Sequence, residues 1–133
     1  MIAIGINDST FDINIGKHRV FLCETKKNLE KLISISQKND IDIGFIGLTL
    51  VINKLLSPVP WARNLSYSDK DVKLYDEVIK KVAKENNVPF CSMHDLLNDK
   101  DLDDGLYPNS QGHKKIFFRV KDFLKKEFNN FEQ

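Results

Sequence analysis

Apolar and polar residues alternate along this chain in two rhythms. Residues 1–6 (MIAIGI) form an unbroken, partly β-branched apolar run, which predicts a buried strand. A polar segment with Gly16 fills 7–19. From 24 to 39, Leu29, Leu32, Ile33 and Ser36 recur at spacings of three and four with lysines opposite, the pattern of an amphipathic helix. Residues 41–48 (IDIGFIGL) predict a second strand, apolar enough to be covered on both faces. A long loop over 49–66 carries Pro58, Pro60 and Trp61. Loops of that length often form functional rims, and Trp61 either lines such a rim or packs beneath the loop. Ser68 then caps a second helix, with Asp69 and Asp71 at the positive end of its dipole and Leu74, Val78, Ile79 and Val82 as its stripe. Asn86-Asn87 closes it, and 88–91 is a short third strand. A polar loop over 95–107 leads to a last helix starting at Asn109 or Ser110, with Ile116, Phe117, Val120, Phe123 and Leu124 facing inward. Phe128 and Phe131 either extend that stripe or fray.

The order β-α-β-α-β-α predicts an α/β domain with a parallel sheet and right-handed crossovers. Ligands gather beyond the carboxyl ends of such strands. Two polar clusters follow strands there, Gly5-Ile6-Asn7-Asp8-Ser9 and the Asp-rich segment 95–104.

Composition changes this picture little. The 133 residues fit one domain, with 41% hydrophobic and 29% charged residues. Twenty basic and 19 acidic side chains leave a net charge of +1, which gives no electrostatic reason to expect nucleic acid as a partner. The lysine excess is interspersed with Asp and Glu, not gathered into a patch. No apolar run approaches a membrane span. The first residues show neither a basic n-region nor a long apolar stretch, so no leader and a cytoplasmic location are expected. Cys23 and Cys91 have no CxxC spacing; a disulfide is possible by number, and buried free thiols are the expectation.

Several chemistries lack their residues. There is no GxGxxG, no GxxxxGK and no GxSxG. His18, His94 and His113 are scattered without zinc spacing, and His18 and His94 are expected to be structural or solvated. The Asp-rich segment lacks the calcium-loop pattern. No metal or cofactor is expected.

Two short motifs do point to chemistry. Gly5-Ile6-Asn7-Asp8 after a strand, and Asp104-Gly105-Leu106-Tyr107-Pro108-Asn109 leading into Gly112-His113 at a helix start, resemble the third and fifth blocks of the SGNH/GDSL hydrolase family. Gly47-Leu48-Thr49 resembles that family's central strand end. The resemblance implies a three-layer α/β/α, flavodoxin-like fold lacking its first strands. Residues 1–133 would then be a single, N-terminally truncated domain. It implies ester hydrolysis by acyl transfer, with serine as nucleophile, histidine as base and aspartate orienting the histidine. Asn7 falls on the position of the oxyanion donor, a group worth roughly 3 kcal/mol of transition-state stabilisation. Asp104 falls on the triad aspartate. Tyr107 stands where the family has the catalytic histidine. A phenol, with an ordinary pKa near 10, is protonated at neutral pH and makes no base. The Gly-Asp-Ser block is absent, and Ser9 is a poor substitute for it, so no residue is assigned as nucleophile. His113 is the one surrogate base to consider. The expectation is an esterase- or lipase-like fragment, impaired when alone, whose substrate would be a small ester. The alternative is a non-catalytic binding module. Its exposed first strand would pair with a second copy or with a complementary chain.

Overall fold

The computed structural model describes residues 1–128. Three short parallel strands form the main sheet: β1 (Ile2–Ala3), β4 (Phe45–Ile46) and β6 (Phe90–Cys91), in the order β1-β4-β6. Around them run α1 (Leu22–Lys38), α2 (Asp69–Glu85) and α3 (Ser110–Glu127). This is the α/β architecture the sequence predicts. The regular strand pairing is shorter than the apolar runs that carry it. The remaining apolar residues of those runs lie outside the regular pairing, Gly5 and Ile6 of the first run already in a turn.

A second sheet was not foreseen. β2 (Phe11–Asp12), β3 (Lys17–His18) and β5 (Leu65–Ser66) pair antiparallel in the order β3-β2-β5. The polar segment 7–19 is thus a hairpin that clamps the end of the long loop. Each strand is two residues long, too short for alternation to show in sequence. Asp12 makes the turn, its Oδ1 accepting from Asn14 N at 3.0 Å.

The helix ends follow from local chemistry. Ser68 accepts from Asp71 N at 3.1 Å and starts α2; Asn109 accepts from Gln111 N and Gly112 N, both at 3.0 Å, and starts α3. α1 and α2 end alike. Asp40 (φ 53°) and Asn87 (φ 55°) take the left-handed conformation. Ile41 N then bonds Ser36 O at 3.0 Å, and Val88 N bonds Ala83 O at 2.9 Å, closing Schellman turns whose apolar last residue leads into the next strand.

The core lies on one side of the sheet. Leu29 and Ile33 of α1 and Val72, Tyr75, Ile79 and Val82 of α2 bury against Phe45. Leu56, Val59 and Tyr67 of the long loop close the same cluster. Leu74, expected on the α2 stripe, is instead exposed, and Val72 and Tyr75 are buried in its place. The opposite face carries α3, of which Gly112 alone is buried. Phe117, expected to face inward, is 60% exposed; Ile116, Val120, Phe123 and Leu124 are half-buried. The reason is that α3 meets the sheet chiefly along β6, so part of its apolar stripe has nothing to cover it. Phe128 is half-buried at the end of α3; Phe131 lies outside the described residues. Both cysteines are free, Cys91 buried as expected and Cys23 exposed on the first turn of α1. No helix among the described residues is long and apolar enough to cross a membrane.

Candidate active site

β1 delivers Asn7 through a tight turn. Gly5 has φ +116°, and a Cβ there would meet the Ile79 side chain at 2.8 Å, so only glycine fits. Its carbonyl accepts from Asp8 N at 3.0 Å and Ser9 N at 3.2 Å. Asp8 then accepts from Thr25 Oγ1 at 2.7 Å, which ties the turn to α1. Tyr67 donates its hydroxyl to Asn7 Oδ1 at 3.2 Å. That bond occupies the carbonyl end of the Asn7 amide and leaves the Nδ2 donors to the solvent side.

Beyond β6, the loop bearing Asp104 is pinned at both ends. Asp101 is buried, takes Lys115 Nζ at 2.6 Å and Asn98 N at 2.9 Å, and the Lys115 ammonium holds its carboxyl below the usual range. Asp104 Oδ1 accepts from Leu106 N at 3.0 Å and Tyr107 N at 2.8 Å, so this carboxylate shapes the turn that presents Tyr107. Gly105 (φ +92°) allows that turn, and its carbonyl accepts from Ile52 N at 2.9 Å.

Asn7 and Tyr107 meet across a cavity of about 370 Å³ at the carboxyl ends of β1 and β4. Its walls are mainly apolar, with Ile6, Leu48, Met93 and Leu106 among them. Tyr107 is 60% exposed at its rim and packs on Trp61, ring centroids 6.2 Å apart. Trp61 is 55% exposed, so it is not packed beneath the loop; it touches the Tyr107 ring and is not among the residues that line the cavity.

The remaining candidates lie elsewhere. His113 lines a groove along α3 with Ile116, Phe117 and Val120, not the Asn7 cavity. Ser9 is fully buried, its hydroxyl donated to Ile6 O at 2.7 Å. A buried or locked hydroxyl of this kind is no nucleophile. His18 bridges Ser9 O at 3.2 Å and Asp71 at 3.8 Å, a structural role.

Two acidic groups near the site carry no sequence signal. His94 Nε2 lies 2.9 Å from Asp69 Oδ1, an imidazole–carboxylate pair opening on a neighbouring shallow cleft. Burial raises the Asp69 pKa, but Lys73, the Val51 amide and His94 together outweigh it and leave the carboxyl below its ordinary value. Asp76 is buried under β4 and accepts from Leu48 N at 2.7 Å; burial pushes its pKa up, and that hydrogen bond opposes the rise. Residues 25 positions apart give no motif, and nothing in the sequence separates Asp76 from the acidic residues on the outer face of its helix.

The parallel sheet thus carries an asparagine turn after its first strand and an Asp-Gly turn after its last. Residues 1–115 match the family model of the GDSL-like Lipase/Acylhydrolase family, and the chain belongs to that family. A multidomain esterase of Ruminococcus flavefaciens is 32% identical over 96 residues, 69% of this chain and 12% of that protein. A GDSL-like lipase from Bacteroides thetaiotaomicron superposes with a TM-score of 0.66 at 18% identity, over 86% of this chain and 58% of that one. An acetyl-xylooligosaccharide esterase from Geobacillus gives 0.62 at 23% identity, over 92% and 56%. The chain therefore spans a small part of the curated esterase and under three fifths of the two solved structures.

Proposed function

We propose that this chain forms the oxyanion half of a carboxylic-ester hydrolase site and is catalytically impaired alone. One observation carries the reading: Asn7, its carbonyl end tied to Tyr67, faces the same cavity as the Asp104–Tyr107 turn. A nucleophile that adds to an ester carbonyl drives the bonding pair onto the carbonyl oxygen. The Asn7 Nδ2 donors, the free end of an amide whose oxygen accepts from Tyr67, would meet that charge. Leaving-group departure then needs a proton donor. In the family pattern a histidine takes the nucleophile's proton and returns it to the leaving alcohol. Tyr107 is at that position, and a tyrosine supplies no imidazole base. Asp104, already accepting two backbone N–H groups, serves here as a turn former.

The test is hydrolysis of p-nitrophenyl acetate by the chain alone. The expected rate is that of the buffer. Turnover that disappears in Asn7→Ala or Asp104→Ala would overturn the impairment and show that the chain supplies its own nucleophile and base.

A second reading rests on a different observation. β1 is an edge strand, and Met1, Ile4, Phe117 and Phe118 are exposed beside it and along α3. An apolar edge of that kind pairs readily with another chain. Under this reading the protein is a binding module that self-associates. Sedimentation showing a monomer across a wide concentration range would count against it.

A further inference from the structure

The small antiparallel sheet brings two distant residues together. Asn7 stands just before β2 and Tyr67 just after β5, and Phe11 of β2 pairs with Ser66 of β5. Ile13 N bonds Asn64 O at 2.8 Å and holds that pairing at its far end. Tyr67 is firmly fixed. Its N–H bonds Leu56 O at 3.0 Å, its side chain belongs to the core cluster, and Ser68 after it caps α2. The third strand closes on the Asn7 turn from the other side. His18 Nδ1 lies 3.2 Å from Ser9 O, and its ring packs on Phe11 and Tyr75 with centroids 5.4 and 5.7 Å away.

Asn7 is exposed, and the two ends of its amide are nearly alike in shape. A half-turn about its last side-chain bond exchanges a pair of donors for an acceptor. The Tyr67 hydroxyl removes that choice. Tyr67 is 7% exposed, and among the described residues its hydroxyl has one hydrogen-bond partner, Asn7 Oδ1 at 3.2 Å. A flipped amide would set Nδ2 hydrogens against the phenol proton and leave a buried donor without an acceptor. Asn7 lines the cavity and Tyr67 does not, so the amide end bonded to Tyr67 is the end spent outside it.

We propose that the small sheet is a clasp that sets the direction of the Asn7 amide, with Tyr67 as its positioning residue. The clasp spends the amide oxygen and leaves hydrogen-bond donors for the cavity. An amide with its oxygen there would repel the negative charge that attack on an ester places on the carbonyl oxygen. The use of those donors rests on the hydrolase reading; the clasp does not.

Side-chain amide relaxation in the 15N-labelled full chain tests this, with Asn7→Asp identifying the Asn7 resonance by its loss. The expected order parameter of the Asn7 Nδ2 group lies above the flexible limit of about 0.6 in the parent and below it in Tyr67→Phe. Tyr75→Phe deletes another hydroxyl from the same core and should leave the Asn7 amide ordered. Ile13→Pro removes the donor of the bond to Asn64 O at an exposed position, so it loosens the sheet without touching Asn7 or the core. It should loosen the Asn7 amide as well, and it keeps the clasp open to refutation if Tyr67→Phe fails to fold. A mobile amide in the parent would overturn the clasp. So would an ordered one in Tyr67→Phe or Ile13→Pro, or equal loosening in Tyr75→Phe. None of these readouts depends on turnover, so failure here leaves the ester-hydrolase reading to its own assay.

Discussion

Asn7 and Asp104 are both polar residues on turns, and the structure gives them different work. Asn7 spends one end of its amide on Tyr67 and keeps the other for the cavity. Asp104 spends Oδ1 on two N–H groups of its own turn. Asp104→Ala therefore removes the acceptor of both donors and should lower stability by about 1–2 kcal/mol, read as a lower midpoint in urea. An unchanged midpoint would mean that water replaces the carboxylate at no cost. The short motifs around these residues were legible because each packs several constraints into a few positions. Gly5 is required by a positive φ and a close neighbour, and Gly112 by the Asp101 carbonyl, 2.5 Å from where a Cβ would sit. Tyr67, Asp69 and His94 were not legible as site neighbours. Their partners lie 60 and 25 positions away, and single-sequence patterns do not encode such pairings.

At the scale of elements, helices were easier to place than strands. α2 begins at its Ser68 cap and ends at Asn86-Asn87 because both boundaries are built from side-chain and φ preferences local to them. The two-residue strands of the small sheet depend on partners more than 40 positions apart in one pair, Phe11 with Ser66. The α2 stripe was misplaced at Leu74 because the helix buries a broader face than its leucine and isoleucine positions show. Tyr75 turns inward to donate its hydroxyl to Val20 O, and burial with nearby Asp8 and Asp71 pushes its pKa up to about 12.

The junction of α2 with β4 gives a pH prediction. Asp76 has a folded pKa above its unfolded value, so the native state holds this proton more tightly than the unfolded chain. Its contribution to stability is then greatest below the unfolded pKa and falls as pH rises through the folded one. Asp76→Asn keeps a carbonyl oxygen for Leu48 N and removes the buried charge. The variant should melt higher than the parent at pH 7, and the difference should shrink below about pH 4. Thermal scans across that range check it. A lower melting temperature at pH 7 would mean that the Lys80 and His94 charges already compensate the buried carboxylate.

Across the whole molecule, the two faces of the sheet are unequal. The α1–α2 side holds the buried core cluster, while the α3 side leaves Phe117 and Phe118 in water and β1 as an open edge. The cavity with Asn7 and Tyr107 opens where these sides meet the strand ends. The lipase from Bacteroides thetaiotaomicron and the Geobacillus esterase have further chain with no counterpart in these residues. A covering β-α segment would bury the exposed stripe and bring a nucleophile toward Asn7. Under the proposed reading the site then needs one further change, a base at position 107.

The most direct measurement is p-nitrophenyl acetate hydrolysis by two fusions of this chain. Both carry the Gly-Asp-Ser-bearing portion of a family member; one retains Tyr107 and the other bears Tyr107→His. With Tyr107 the rate should remain at background. With Tyr107→His it should rise by at least about a hundredfold, and Asn7→Ala in that background should remove about a hundredfold of it. Equal activity of the two fusions would contradict the account. So would equal inactivity in fusions that melt cooperatively and bind the same ester.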